Sequence, residues 1–261
     1  MRSIVTKIIY QKRYLILGWF IGVLGFTILM MYFFPVFKNG ELSNSLKGLP
    51  PSIEKIIGNK ASWTTIGGYI SDQLFALRVP MFIIILSIFL FNSFIAGDEK
   101  KGLTETQLTL TNGRTRLLID KVVAIVIIVS FVMSAVLIGI ILGDKIIHYH
   151  YALNTILIIC TNCLLLCLDF GLVAFLAGCL FGRSGIAIGL ASVYAFGSYL
   201  LSSMVGSVSY LRIPEKLSLF HYYQNNTVFI AKDIIVLSVF ALVCLIIGIL
   251  AFNFRDIKTN S

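Results

Sequence analysis

Residues 122–142 read VVAIVIIVSFVMSAVLIGIIL, a run of apolar and small residues without a single charge. An α-helix needs about 20 such residues to cross the ~30 Å hydrocarbon core of a bilayer. Further apolar runs lie at 14–34, 79–96, 152–181, 186–205 and 234–254, with an earlier start of the second near Gln73 as an alternative. The sequence therefore predicts an all-α polytopic membrane protein, with six transmembrane helices in a single domain that covers residues 1–261.

The composition favours lipid as the main surrounding of this chain. Hydrophobic residues make up 58% and charged residues 13%, whereas a soluble domain is about half apolar and about a quarter charged. The net charge is +9, but the basic residues are spread over short segments, and no nucleic-acid-binding motif accompanies them. Lys and Arg at the ends of spans meet anionic headgroups. We therefore expect membrane lipid as a partner, and no nucleic acid.

The distribution of basic residues also predicts an orientation. Six spans place both termini on the same side of the membrane. If that side is the cytoplasm, the inner segments hold twelve of the 21 basic residues, four of which precede the first span. Because cytoplasmic segments are enriched in Lys and Arg, both termini are predicted to be cytoplasmic.

Three segments outside the spans have amphipathic character. Residues 2–13 place Val5, Ile8 and Ile9 on one helical face and predict an N-terminal helix in the headgroup plane. Residues 49–58, within the long outer loop 35–78, form a second candidate. The only sizeable inner loop is 97–121, where acidic residues come first and basic residues last. This order favours a short helix that docks on another protein; a solvated linker is the alternative.

Polar residues within the spans are the candidates for a transport pathway. Asp169 is the only carboxylate well inside a predicted span. A charged residue there costs about 2.5–3.5 kcal/mol on insertion scales, so it is expected to face protein or water. Asn92 and Asn162 are the other candidates, and the alternative for all three is hydrogen bonding between packed helices.

The sequence offers no recognisable catalytic or metal site. The five cysteines lie in apolar runs, where burial as small hydrophobic residues is the expected role. His148, His150 and His221 have no ligand cluster at zinc-like spacing. Neither a G-x-S-x-G elbow nor a G-x-x-x-x-G-K-[ST] phosphate loop occurs. We therefore expect no enzyme activity, metal or bound cofactor in this chain, with a membrane enzyme centred on Asp169 or on His148 and His150 as the alternative.

An ordered set of motifs resembles the permease subunit of type 2 ATP-binding-cassette (ABC) exporters. Leu103 and Thr111 depart from the family pattern, which has Thr and Pro there. The matching segments are Leu49-Pro50-Pro51, Gly68-Tyr69, Pro80, Ala96-Gly97-Asp98-Glu99-Lys100-Lys101-Gly102-Leu103-Thr104-Glu105, Thr111-Asn112-Gly113-Arg114, Lys121, Ser218-Leu219-Phe220-His221-Tyr222-Tyr223 and Phe254-Arg255-Asp256-Ile257.

This resemblance implies a dimeric exporter of the bacterial plasma membrane. Two permease domains, identical or paralogous, would pair, and each would dock on a separate ABC ATPase subunit that binds ATP and Mg²⁺. The cargo would be hydrophobic or amphiphilic, such as an antibiotic, an antimicrobial peptide or a lipid. A sensor or immunity subunit that docks an ATPase without transporting is the alternative.

The resemblance also implies that loop 97–121 is a coupling helix seated in a cleft of the ATPase. A Glu99→Lys change is then expected to uncouple ATP use from transport without preventing membrane insertion. The residues expected to couple the two subunits are Glu99, Gly102, Glu105, Arg114, Arg116 and Lys121.

Overall fold

A computed structural model describes residues 4–38, 65–109, 113–147, 153–204, 215–223 and 231–255, without the side chains of residues 37, 38, 105 and 109. The protein is almost entirely helical over these ranges, which contain no strand. Six helices are long and apolar enough to cross a membrane. This confirms the predicted fold class and the predicted number of spans: the chain has the architecture of a multi-pass helical membrane protein.

The helices follow one another in an up-and-down bundle. We call the end where the first span begins the near end, and the opposite end the far end. The elements are α1 (Ile4–Gln11), α2 (Arg13–Lys38), α3 (Ile66–Tyr69), a π-helical segment (Ile70–Phe75), α4 (Arg78–Phe94), α5 (Ala96–Lys100), α6 (Leu103–Thr109), α7 (Arg114–Ile147), α8 (Leu153–Phe181), α9 (Ser184–Met204), a 3₁₀ turn (Leu219–His221) and α10 (Ala231–Phe254).

The second and third spans extend well beyond the predicted apolar runs. The second is helical over Ile66–Lys100 and the third over Arg114–Ile147. The sequence placed Arg78 at the end of the outer loop, but it lies inside the second span. Its guanidinium donates to the backbone oxygen of Gln73 and, at 2.5 Å, to Gln73 Oε1. A long basic side chain satisfied in this way lets a helix continue where the hydropathy pattern stops.

Helix α8 is the centre of the bundle, in contact with α4, α9 and α10. It buries 67% of its most apolar stretch, whereas α9 and α10 each bury 17%. Gly171 permits the close approach of α8 to α4, because a Cβ atom there would lie 2.1 Å from Ser87 Oγ. One turn nearer the near end, the Phe91 and Phe175 rings pack edge to face across the same contact.

Helix α1 lies against α7 as an addition to the bundle. Ile8 is buried, and Val5 and Ile9 are partly buried against the core, whereas Lys7 is exposed. The apolar face predicted for residues 2–13 therefore exists, and it packs on protein. Ile8 and the start of α2 are joined through Lys12, whose backbone N–H donates to Ile8 O at 3.1 Å.

Two buried tyrosines close the far end of the second span. The Tyr69 hydroxyl donates to Met30 O at 2.7 Å and thereby joins the second span to the first. The Tyr223 hydroxyl donates to Phe75 O at 3.0 Å. Burial raises the pKa of Tyr223 well above its ordinary value, so this phenol remains a hydrogen-bond donor at physiological pH.

The outer faces of the bundle are apolar. Val193 and Phe196 on α9 are 74% and 65% exposed, and Ile235 on α10 is 60% exposed. A soluble monomer rarely leaves such a continuous apolar surface open to water. Lipid or another membrane subunit is the surrounding that these faces require.

Candidate functional site

The connection between the second and third spans is folded into two short helices at the near end. Helices α5 and α6 meet at Gly102, whose φ of +67° lies in the left-handed region that favours glycine. The Gly102 N–H donates to Glu99 O at 3.0 Å. Most of the segment 97–121, which the sequence predicted as an inner loop, is helical. Its first part forms α5 and α6, and Arg114, Arg116 and Lys121 already belong to α7.

A buried ion pair fixes α5 to the third span. Lys121 is 2% exposed, and its ammonium group donates to Asp98 Oδ2 at 2.8 Å and to Phe94 O at 2.6 Å. Gln107 on α6 donates from Nε2 to the same Asp98 oxygen at 3.1 Å. A charge this deeply buried is tolerated only when it is paired and hydrogen-bonded. These bonds therefore hold α4, α5, α6 and α7 in one arrangement.

A second ion pair joins α5 to the ends of two other spans. Arg255 Nη2 donates to Glu99 Oε2, and Arg255 Nη1 donates to Gly178 O at 3.3 Å. Gly182 has a φ of +62°, and a Cβ atom there would lie 2.6 Å from Arg255 Nη1. Glycine at this position thus ends α8 and leaves room for the guanidinium group.

The start of the third span caps the end of the sixth. Arg114 Nη1 donates to Arg255 O at 3.1 Å, and Asn253 Nδ2 donates to Thr115 Oγ1 at 3.0 Å. The last carbonyls of a helix have no partner within the helix and attract a positive charge. We call the side chains that join the second, third, fourth and sixth spans the near-end frame: Asp98, Glu99, Gln107, Arg114, Lys121 and Arg255.

The surface of α6 and the start of α7 is partly exposed. Leu103, directly after the Gly102 turn, is 44% exposed. Arg116 on α7 is exposed, as is Thr106 on α6. Exposed apolar and basic side chains of this kind are common in protein–protein contacts. The side chain of Glu105, another residue expected to couple the subunits, lies outside the described part of the chain.

The residues predicted to act in coupling fall into two groups. Glu99, Arg114 and Lys121 bond within the chain as members of the near-end frame. Gly102 forms the turn, and Arg116 is exposed. No comparison tests their role, so coupling stays a prediction.

Sequence reasoning missed the partners in these bonds. Asp98, Gln107 and Arg255 were not among the predicted site residues, although Asp98 and Arg255 lie inside quoted motifs. The available signal was Asp98, an acidic residue directly after an apolar run, because a carboxylate at such a place needs a cation as its partner. Which cation it would be depends on how the spans pack.

The three candidate pathway residues do not form one site. Asn92 is buried near the near end and donates from Nδ2 to Ser184 Oγ at 2.8 Å. Asn162 and Asp169 are both buried in α8, seven residues or ~10 Å apart along the helix axis. The Asn92 bond reaches the start of α9, whereas Asp169 lies twelve residues before the end of α8.

Asp169 is a deeply buried carboxyl-bearing residue in the middle of α8. It is 1% exposed, and its Oδ2 has no hydrogen-bond partner among the described residues. It lies ~18 Å along α8 from Phe181, near the middle of a ~30 Å hydrocarbon core.

The cysteines are packed among buried residues of the spans. All five are buried with free thiols, and Cys163 and Cys167 lie 3.9 Å apart at sulfur. Within the described ranges, no group of three His, Cys, Asp or Glu side chains is arranged to hold a metal ion. His148, His150 and the amphipathic segment 49–58 lie outside those ranges.

Comparison with known proteins gives no family assignment. No protein-family model matches the chain, and no curated protein sequence matches it significantly. The resemblance to ABC permeases therefore remains a prediction from the motifs.

Proposed function

We propose that this chain is the transmembrane subunit of an ATP-driven ABC exporter, in the plasma membrane of a bacterium. The near end faces the cytoplasm, which places both termini there. Helices α5 and α6 dock on a separate ATPase subunit and pass its movement to the spans. Two copies of the chain, or this chain and a paralogue, enclose the path of a hydrophobic or amphiphilic cargo.

The observation that carries this proposal is the near-end frame. Its bonds join α5 and α6 to the second, third, fourth and sixth spans. A force applied to α5 and α6 therefore moves these spans together, because buried charge pairs resist separation. Rigid-body movement of packed elements is a common means of switching between conformations.

ATP hydrolysis is assigned to the partner subunit. The chain lacks the G-x-x-x-x-G-K-[ST] loop that cradles nucleotide phosphates. ATP and Mg²⁺ then bind to the ATPase, and the contribution of this chain is mechanical. Exposed Leu103 and Arg116 supply an apolar and a charged contact for docking.

Open apolar surfaces support the pairing of two membrane subunits. A groove of about 730 Å³ lies between α2 and α4, lined by Leu15, Gly18, Trp19, Gly22, Val23, Phe26 and Phe82. Nothing approaches within 4 Å of a Cβ atom built at Gly18 or Gly22. A second subunit would cover such faces and leave an apolar path for cargo between the copies.

Affinity purification in mild detergent tests the docking surface. We expect an ATPase with an ABC sequence signature to co-purify with the tagged chain and to hydrolyse ATP. Leu103→Asp should reduce its recovery about tenfold, because a charge replaces an apolar contact at the interface centre. Leu217→Asp is the matched control, since Leu217 is 74% exposed at the far end.

Absence of any ATPase, or equal loss in both variants, would contradict the proposed docking surface. Recovery of an ATPase in a system that shows no efflux would instead favour the sensor or immunity role.

A charge swap tests whether Glu99 acts through the frame. Glu99→Lys places a cation against Arg255 and should abolish the effect of this chain on the ATP hydrolysis rate of its partner in proteoliposomes. Glu99→Lys combined with Arg255→Glu restores opposite charges and should recover at least half of that effect. If Glu99 instead contacts the ATPase directly, the second change will give no recovery.

A further inference from the structure

A polar cavity of about 680 Å³ lies at the near end, beside the α8–α9 connection. The end of α5 and the residue after α10 also border it. We call it the near-end cavity, and its polar and charged lining consists of Glu99, Lys100, Arg183, Ser184 and Arg255. Glu99 and Arg255 belong to the near-end frame, whereas Lys100, Arg183 and Ser184 do not.

The near-end cavity carries unbalanced positive charge. Glu99 is paired with Arg255, so these two side chains neutralise each other. Lys100 and Arg183 are exposed, and neither forms an ion pair with any acidic residue in the described ranges. Two cations without counter-charges that border one cavity form a site for an anionic group.

The Ser184 hydroxyl adds a directed donor. Asn92 Nδ2 donates to Ser184 Oγ at 2.8 Å, so the serine oxygen accepts there and its own hydrogen remains available to a ligand. The hydrogen-bond ladder of α9 begins with Ala187 N–H to Arg183 O at 3.1 Å. The amides of Ser184, Gly185 and Ile186 therefore precede the ladder, as the first amides of a helix do.

The border of the near-end cavity is apolar on its membrane side. Leu180, Phe181 and Ile186 line it and are 45%, 53% and 37% exposed. These residues lie at the near ends of two spans, where headgroups meet acyl chains. A small soluble anion would use the cations but not this apolar border, whereas a phospholipid would use both.

We propose that the near-end cavity binds the headgroup phosphate of an anionic phospholipid. Lys100 and Arg183 bind the phosphate, Ser184 donates to one of its oxygens, and the acyl chains lie against Leu180, Phe181 and Ile186. This site needs the six-span fold but no ATPase, so it stands independently of the proposed function.

Native mass spectrometry of the full chain in mild detergent tests the site. The protein is titrated with phosphatidylglycerol and, separately, with phosphatidylcholine of the same acyl chains. We expect the wild-type chain to retain phosphatidylglycerol about tenfold better, since each cation near a membrane surface contributes measurably to anionic-lipid binding. Lys100→Gln combined with Arg183→Gln should reduce the preference to less than about twofold.

The control variant removes the same charge outside the cavity. Lys7→Gln combined with Lys101→Gln changes two exposed lysines that do not line it, and the lipid preference should persist. Both double variants should unfold at the wild-type temperature, because all four side chains are exposed.

Three results would overturn the proposal. The first is a wild-type chain that does not prefer phosphatidylglycerol over phosphatidylcholine. The second is an equal loss of that preference in the two double variants. The third is displacement of phosphatidylglycerol by millimolar inorganic phosphate. The last result would assign the cavity to a free anion, since a bound lipid also keeps its acyl-chain contacts.

Discussion

The near end and the middle of the bundle are held together by different forces. At the near end, Lys121 is buried against Asp98, and Glu99 pairs with Arg255. In the middle, α8 contacts α4 through Gly171 and aromatic rings, and Asp169 Oδ2 has no hydrogen-bond partner among the described residues. Both regions bury a carboxylate, but only the near end supplies bonds to it.

The paired side chains of the near end hold helices together. The burial of the Asp169 carboxyl group, in contrast, is not explained by any described contact. Removing one member of a paired, buried charge leaves the other unsatisfied, so the near-end residues are needed for the fold. Neutralising Asp169 removes no known bond. A carboxyl group buried in the middle of a span without such a bond calls for a role other than stability.

The largest expected effect comes from breaking the near-end frame at Lys121. Lys121→Met leaves Asp98 buried without its cation and should lower the free energy of unfolding by about 3–5 kcal/mol. Equilibrium unfolding in mixed detergent micelles measures this loss. Adding Asp98→Asn should recover part of it, since an amide tolerates burial better than a lone carboxylate.

Lys145→Met is the matched control for this prediction. Lys145 lies on the same helix and is exposed at the far end, so its replacement should change stability by less than about 0.5 kcal/mol. Equal losses for Lys121→Met and Lys145→Met would show that the Asp98 pair does not hold the near end together.

A smaller loss is expected from forcing α4 and α8 apart. In Gly171→Ala, the added methyl group meets Ser87 Oγ and the Phe91 ring. Overpacking of this kind costs about 1–3 kcal/mol, which the same unfolding experiment measures. Gly189→Ala on α9 is the control, because no atom lies within 4 Å of a Cβ atom there. If both variants unfold alike, the close approach at Gly171 is not a constraint.

The smallest expected change is a gain in stability at Asp169. Asp169→Asn keeps the shape of the side chain and removes a carboxyl group whose ionised form is costly to bury, so the protein should become more stable by up to about 1 kcal/mol. Asn162→Asp is the opposite change on the same helix and should destabilise. A clear loss of stability in Asp169→Asn would reveal a bonding partner and end the contrast with the near end.

The apolar runs predicted six spans because a helix must be about 20 apolar residues long to cross a bilayer. They also predicted α1, because the spacing of Val5, Ile8 and Ile9 marks one face of a helix. The helices of the second and third spans run past the predicted apolar runs, because charges end a hydropathy pattern but not a helix. Arg78 bonds to Gln73 within its own helix, and Lys121 bonds to Asp98.

The candidate site was predictable as a segment but not as a set of contacts. The order of charges in 97–121, acidic residues first and basic residues last, favoured a short helix in this connection, and α5 and α6 lie there. Asp98 to Lys121 and Glu99 to Arg255 are contacts over 23 and 156 residues. No local pattern relates residues so far apart.

The sequence by itself determined the lipid-compatible class, the number of spans and the position of the polar connection. Hydrophobic run length and helical periodicity are local properties, and they decide these features before any helix meets another. The tertiary structure alone decided which charges are paired, that α8 lies at the centre, and that Lys100 and Arg183 border one cavity. Those features depend on which helix faces lie together, because burial and pairing are properties of contacts between spans.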